Sequence, residues 1–106
     1  MAERNIIDKV KRYIYLLNSE GFNINKAFIY GSYATSENDE ESDIDLMLIS
    51  DDLSEPDIAQ KSKAWILTRK IDSRIEPHIV SMKRFREDET SPLLEIVRQQ
   101  GVEISF

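Results

Sequence analysis

A chain of 106 residues is large enough for one hydrophobic core and too small for a second. Hydrophobic residues make up 41% and charged residues 32%, an ordinary globular composition, and no apolar run is long enough to span a bilayer. Fourteen basic residues against twenty acidic ones give a net charge of −6, which argues against sequence-independent binding to duplex nucleic acid. The absence of cysteine excludes a disulfide framework and a thiolate metal site. The N-terminal Met-Ala-Glu-Arg-Asn lacks a secretory pattern, so the expected location is cytoplasmic.

The first predicted element is an amphipathic helix, with Ile6, Ile7, Val10, Ile14 and Leu17 at helical spacing and a stop near Asn18 to Gly21. Lys26 to Tyr30 then reads as a short strand closed by Gly31, followed by a helical turn at Ser32 to Ala34. A polar loop from Thr35 to Ser42 leads to a second strand, Asp43 to Ser50. After the loop Asp51 to Glu55, Pro56 opens a helix with Ser54 as the candidate cap. Its apolar stripe is Ile58, Ala64, Trp65, Leu67 and Ile71, which makes Trp65 a core or subunit-contact residue. Arg74 to Ser81 is a third strand. Pro77 cannot donate to a ladder and places that strand at an edge or a bulge. A last helix starts at Pro92 and stops before Gly101, and the tail Val102 to Ile104 is extended. This order predicts a single α+β (α/β) domain over residues 1–106, with a small mixed sheet packed by helices.

Chemistry concentrates between residues 31 and 45. Strand periodicity sends Asp43 and Asp45 to one face and Ile44, Leu46 and Leu48 to the other. Two adjacent carboxylates repel unless cations or protons neutralise them, and a hard divalent ion with oxygen ligands is their natural partner. An isolated Asp-Ile-Asp more often just starts a strand, and an isolated Gly-Ser marks an ordinary turn. Their combination is what carries weight. Gly31 lets a phosphate approach closely, and Ser32 adds a hydroxyl and following amides.

Gly31-Ser32, ten residues, then Asp43-Ile44-Asp45-Leu46 resembles the signature of the DNA polymerase β-like nucleotidyltransferases. The short chain is similar to their minimal nucleotidyltransferase (MNT) branch, antitoxin-type proteins often encoded beside a HEPN-domain toxin. The resemblance implies that Gly31 and Ser32 contact a triphosphate and that Asp43 and Asp45 bind two Mg²⁺ ions. It further implies a third carboxylate from a later strand, for which Glu76 is the matching residue. Asp72, at a helix-to-strand junction, reads as a turn or cap residue instead, and a solvated edge-strand carboxylate is the plain alternative for Glu76. The implied reaction is transfer of a nucleotide, AMP from ATP or another triphosphate, to a hydroxyl on a protein or small molecule. The alternative is a non-catalytic antitoxin that occludes its partner. Either implies a HEPN-domain protein partner and leaves a homo- or hetero-oligomer open, while charge and the short apolar runs argue against duplex nucleic acid and a membrane.

One departure stands out. Many minimal members carry Arg-Gly after the Gly-Ser-Tyr-Ala segment, whereas Thr35-Ser36 follows Ala34 here, ahead of the acidic run Glu37 to Glu41. That run has neither the central glycine nor the closing glutamate of an EF-hand loop. His78, the one histidine, cannot form a histidine metal cluster and reads as structural or rim-polar. Tyr33 reads as packing beside the turn, and Lys83, Arg84 and Arg86 as a solvated basic turn.

Overall fold

The computed structural model describes residues 4–35, 42–51 and 55–106. The expectations for Ser36, the acidic run 37–41 and the Ser54 cap lie outside those residues.

Helix α1 (Arg4–Ser19) buries Ile6, Val10, Tyr13, Ile14 and Leu17 on one stripe. Tyr13 is the member the apolar pattern omits; its hydroxyl donates to the Ala64 carbonyl at 2.6 Å, which lets a polar atom sit in the core. The chain leaves α1 through Gly21 at φ +99°, and Phe22 N–H donates back to the Leu17 carbonyl. Strand β1 (Ile24–Tyr30) starts two residues earlier than the sequence suggests, because the Asn18 side chain brackets both backbone groups of Ile24.

After β1 come the single turn α2 (Ser32–Thr35) and strand β2 (Ile44–Ser50). Helix α3 (Ile58–Leu67) is capped by Asp57, which accepts from Gln60 N–H while the Gln60 side chain accepts from Asp57 N–H. This capping box, not Pro56, sets the start of the helix. A 3-10 turn, Thr68–Lys70, extends it toward β3 (Ile75–Ser81). Next are α4 (Met82–Glu87), α5 (Pro92–Gln100) and the two-residue strand β4 (Val102–Glu103). Helix α4 replaces the predicted basic turn. Ser81 ends β3 and at once caps the helix by accepting from Arg84 N–H, and Met82 and Phe85 turn inward.

The sheet order is β3-β2-β1-β4. β2 runs antiparallel to β1 and parallel to β3, and β4 pairs antiparallel with β1, so the sheet is mixed as expected. Pro77 lies in an edge strand, where its missing donor costs little. The parallel β2–β3 pair needs a crossover, which α3 supplies. One sheet face, with Ile44, Leu46, Leu48, Ile75 and Ile79, packs under α1 and α3. The other, with Tyr30, Met47, Ile49 and Val80, packs under α4 and α5.

The α3 stripe differs from the sequence reading. Ala64 and Leu67 are buried and Ile71 packs behind them, whereas Ile58 and Trp65 face solvent, Trp65 at 45% exposure. The helix buries only the narrow stripe that small Ala64 brings against Tyr13, and Trp65, one position on, falls outside it.

Candidate active site

Asp45 lies in the middle of three strands: its register partners are Tyr30 on β1 and Glu76 on β3. Asp43 sits just before β2 starts, and its neighbour Ile44 donates its N–H to the Arg74 carbonyl at 2.8 Å, aligning the entry of β2 with that of β3. The structure therefore brings Asp43, Asp45 and Glu76 to one end of the face opposite α1 and α3. The consequence is electrostatic. Glu76 is pushed up to about 7, first by loss of solvent and then by the carboxylates of Asp45 and Asp43. Among the described residues, no three His, Cys, Asp or Glu side chains close into a ready-made metal cage.

Gly31 ends β1 at φ +74°, and its environment explains the glycine better than phosphate access alone. A Cβ there would collide with Asp45 Oδ2 and lie 3.2 Å from Asp45 Cγ. The missing side chain is what leaves the Asp45 carboxylate uncovered. Ser32 follows directly and opens α2, so the Gly-Ser turn and the aspartate pair meet in space as the sequence spacing suggests.

The turn and β3 are tied together from behind. Lys9 Nζ donates to Asp72 at 3.0 Å, Arg74 Nη2 donates to Asp72 at 2.7 Å, and Arg74 Nη1 donates to the Tyr33 hydroxyl at 3.0 Å. Asp72 is thus the predicted turn residue and not a member of the site; its cation partners hold it well below the usual carboxylate range. Tyr33 is packed at 2% exposure, as expected. Arg74 is the residue sequence reading missed: through Tyr33 it braces α2, and its carbonyl fixes the start of β2. No motif marks it.

Tyr30 and His78 form the floor beyond the carboxylates, with ring centroids 6.4 Å apart. Burial raises the Tyr30 hydroxyl well above its ordinary value, reinforced by Asp45 and Glu76. Partial covering of the His78 ring lowers its pKa, opposed by Asp45 and aided by Lys61. A neutral phenol and a mostly neutral imidazole thus line a strongly anionic corner.

The donor set is entirely carboxylate, hard and oxygen-based, and the mutual repulsion that lifts Glu76 is what a divalent cation relieves. With Asp45 left open by Gly31, these residues fit Mg²⁺ and do not suit a soft or borderline metal.

Comparison with known proteins shows the family and the fold. The sequence profile of the family "Polymerase beta, Nucleotidyltransferase" matches residues 10–104. The chain belongs to this nucleotidyltransferase family. Among solved structures, a toxin–antitoxin complex with AMP-PNP contains a chain 22% identical to this one, with a TM-score of 0.64 over 93% of this chain and 72% of that one. A Sulfolobus solfataricus protein with a proposed nucleotidyltransferase assignment has a TM-score of 0.62 at 15% identity, over 92% and 77% of the two chains. The complex of a tri-AMPylated HEPN toxin with MNT antitoxin from Shewanella oneidensis gives 0.58 at 19% identity, over 92% and 69%. No curated protein sequence matches significantly. At these identities the structural likenesses establish the shared fold, and it is the fold of MNT antitoxins among others. Among the described residues no helix is long and apolar enough to cross a membrane.

Proposed function

We propose that the chain is a metal-dependent nucleotidyltransferase that moves AMP from ATP onto a hydroxyl of its acceptor, and that a HEPN-domain toxin is its partner. The observation that carries this reading is the meeting of Asp43, Asp45 and Glu76 beside the Gly31-Ser32 turn. The AMP-PNP complex and the AMPylated toxin among structures of the same fold support the choice of nucleotide, acceptor and partner.

Asp43 and Asp45 would hold two Mg²⁺ ions with Glu76 as the third carboxylate, and Gly31 and Ser32 would cradle the triphosphate. Bound Mg²⁺ supplies charge to the phosphates and acidifies the acceptor hydroxyl. In the transfer, the acceptor oxygen forms a bond to the α-phosphorus as the bond from that phosphorus to the α,β-bridging oxygen breaks. Pyrophosphate leaves, and the hydroxyl proton passes to Glu76 or to solvent. Glu76 is placed to receive it by its register beside Asp45 on the neighbouring strand. Lys9, Asp72 and Arg74 act only by holding the turn and β3 in place.

A second reading, an antitoxin that acts by occlusion, is favoured by one feature: Thr35-Ser36 stands where many minimal members carry a cation. One experiment separates the two. The protein is incubated with Mg²⁺, α-labelled ATP and the HEPN protein, beside the Asp43→Asn/Asp45→Asn variant. Label transfer that disappears in the variant establishes the enzyme; neutralisation of the toxin by the variant without transfer establishes occlusion.

A further inference from the structure

Beside the carboxylates, across His78, a cavity of about 150 Å³ lies over the free edge of β3. Its walls come from both sides of the sheet: Lys61 and Trp65 from α3, Pro77 and His78 from the strand, Arg84 from α4 and Leu94 from α5. Nothing in the reaction derived above uses it.

Three features define what it can take. Although acidic residues outnumber basic ones by twenty to fourteen in the chain, the described residues that line the cavity include no carboxylate and two cations. Lys61 makes no ion pair among the described residues, while Arg84 shares its charge with Asp88 at 3.2 Å and more weakly with Glu55 at 3.9 Å. From Ile58 to Lys70 the only charged residues are Lys61, Lys63, Arg69 and Lys70; of these Lys61 lines the cavity, while Lys63 pairs with Glu20. Second, the surface between the cations is apolar, formed by the half-exposed Trp65 ring, Pro77 and Leu94. Third, His78 and Glu76 share a strand face two residues apart, about 7 Å along the strand. A chain seated in the cavity can therefore present a group to Glu76 without moving the fold.

We propose that this groove is the acceptor-docking site, and that it takes an acidic polypeptide segment: carboxylates against Lys61 and Arg84, one apolar side chain between Trp65 and Leu94, and the acceptor hydroxyl directed past His78. The proposal rests on the transferase reading for the role of the hydroxyl; the binding itself rests on the groove alone. Opposite charge across such a rim sets orientation and partner choice, and salt weakens it. The bare edge of β3 cannot be read as a strand-addition site along its whole length, because Pro77 has no N–H to give.

Trp65 is the chain's one tryptophan, so its emission reports occupancy directly, without nucleotide or metal. The probe is a short acetylated peptide alternating Glu and Leu around one Ser; the control carries Lys in place of Glu. The Glu peptide is expected to shift Trp65 emission saturably, and the Lys peptide to leave it unchanged. Lys61→Glu should weaken the Glu peptide by about tenfold and let the Lys peptide bind. Lys61 is exposed and makes no ion pair among the described residues, so this variant should fold; adding Arg84→Glu deepens the loss. Equal response to both peptides, indifference to Lys61→Glu, or a shift given by phosphatidylserine vesicles or single-stranded DNA but not by the Glu peptide would overturn the proposal. The two readings fail separately. Peptide binding without label transfer keeps the groove and removes the reaction, whereas transfer to the HEPN protein that is insensitive to Lys61→Glu keeps the reaction and removes the groove.

Discussion

The two faces of the central strand β2 behave as different materials. On one, Ile44, Leu46 and Leu48 are fully buried under α1 and α3 within a large continuous core. On the other, Asp45 stands half-covered beside Glu76 and Tyr30 before Met47 and Ile49 re-enter a smaller core under α4 and α5. The first face stabilises the fold by burial. The second carries like charges that a folded chain would otherwise avoid, and it does so only because the first face holds the strands in register.

The largest effects should come from crossing that division. Leu46→Ala opens a cavity in the large core and should cost about 3 kcal/mol in denaturant unfolding. Asp45→Asn, one residue away, should leave the unfolding midpoint unchanged or raised while reducing nucleotide transfer on the order of a thousandfold. A variant at 45 that unfolds the protein as Leu46→Ala does would erase the distinction.

The two positive-φ glycines sharpen it further. Gly31→Ala combines a left-handed backbone with a clash against the Asp45 carboxylate, so both stability and transfer should fall. Gly21→Ala has the same backbone problem but nothing within 4 Å, and it should cost only about 1 kcal/mol, with transfer intact. Comparing thermal melts and rates for the pair isolates the contact with Asp45.

Smaller effects are set by pH. Glu76 in the fold titrates near 7, above its ordinary 4.5, so its contribution to stability is full below the ordinary value and is lost as pH rises toward 7. The metal-free protein should therefore melt at lower temperature at pH 8 than at pH 5 on account of this group; Glu76→Gln should flatten that slope, and Mg²⁺ should restore stability at pH 8. Asp72 has the opposite sign. Its pKa is depressed by Arg74 and Lys9, so its contribution is present above the ordinary carboxylate range and is lost as pH falls. Asp72→Asn should lower stability by about 1 kcal/mol at neutral pH, and the difference should vanish in acid melts.

Much of this was legible because the relevant signals are local. Period-two alternation placed Asp45 against Leu46, Pro77 marked an edge strand, and the spacing from Gly31-Ser32 to the aspartates foretold their meeting. What escaped depends on tertiary context. Trp65 has helical spacing with Leu67 and Ile58, yet the buried stripe is fixed by Tyr13 reaching the Ala64 carbonyl, a contact 51 residues apart. Helix α4 hid behind its basic residues although Ser81 was available as its cap. Arg74 looked like the first residue of a strand, and its tie to Tyr33 spans 41 residues. The pairing of β4 with β1 brings residue 103 to residue 28, beyond the reach of any periodicity.

The most direct test of the central claim is calorimetric titration of ATP into the protein with and without Mg²⁺, repeated on Asp43→Asn/Asp45→Asn. Binding should require Mg²⁺ in the native protein and be lost in the variant, whose melting temperature should not fall. Nucleotide binding of equal strength in the variant, or without the metal, would contradict it.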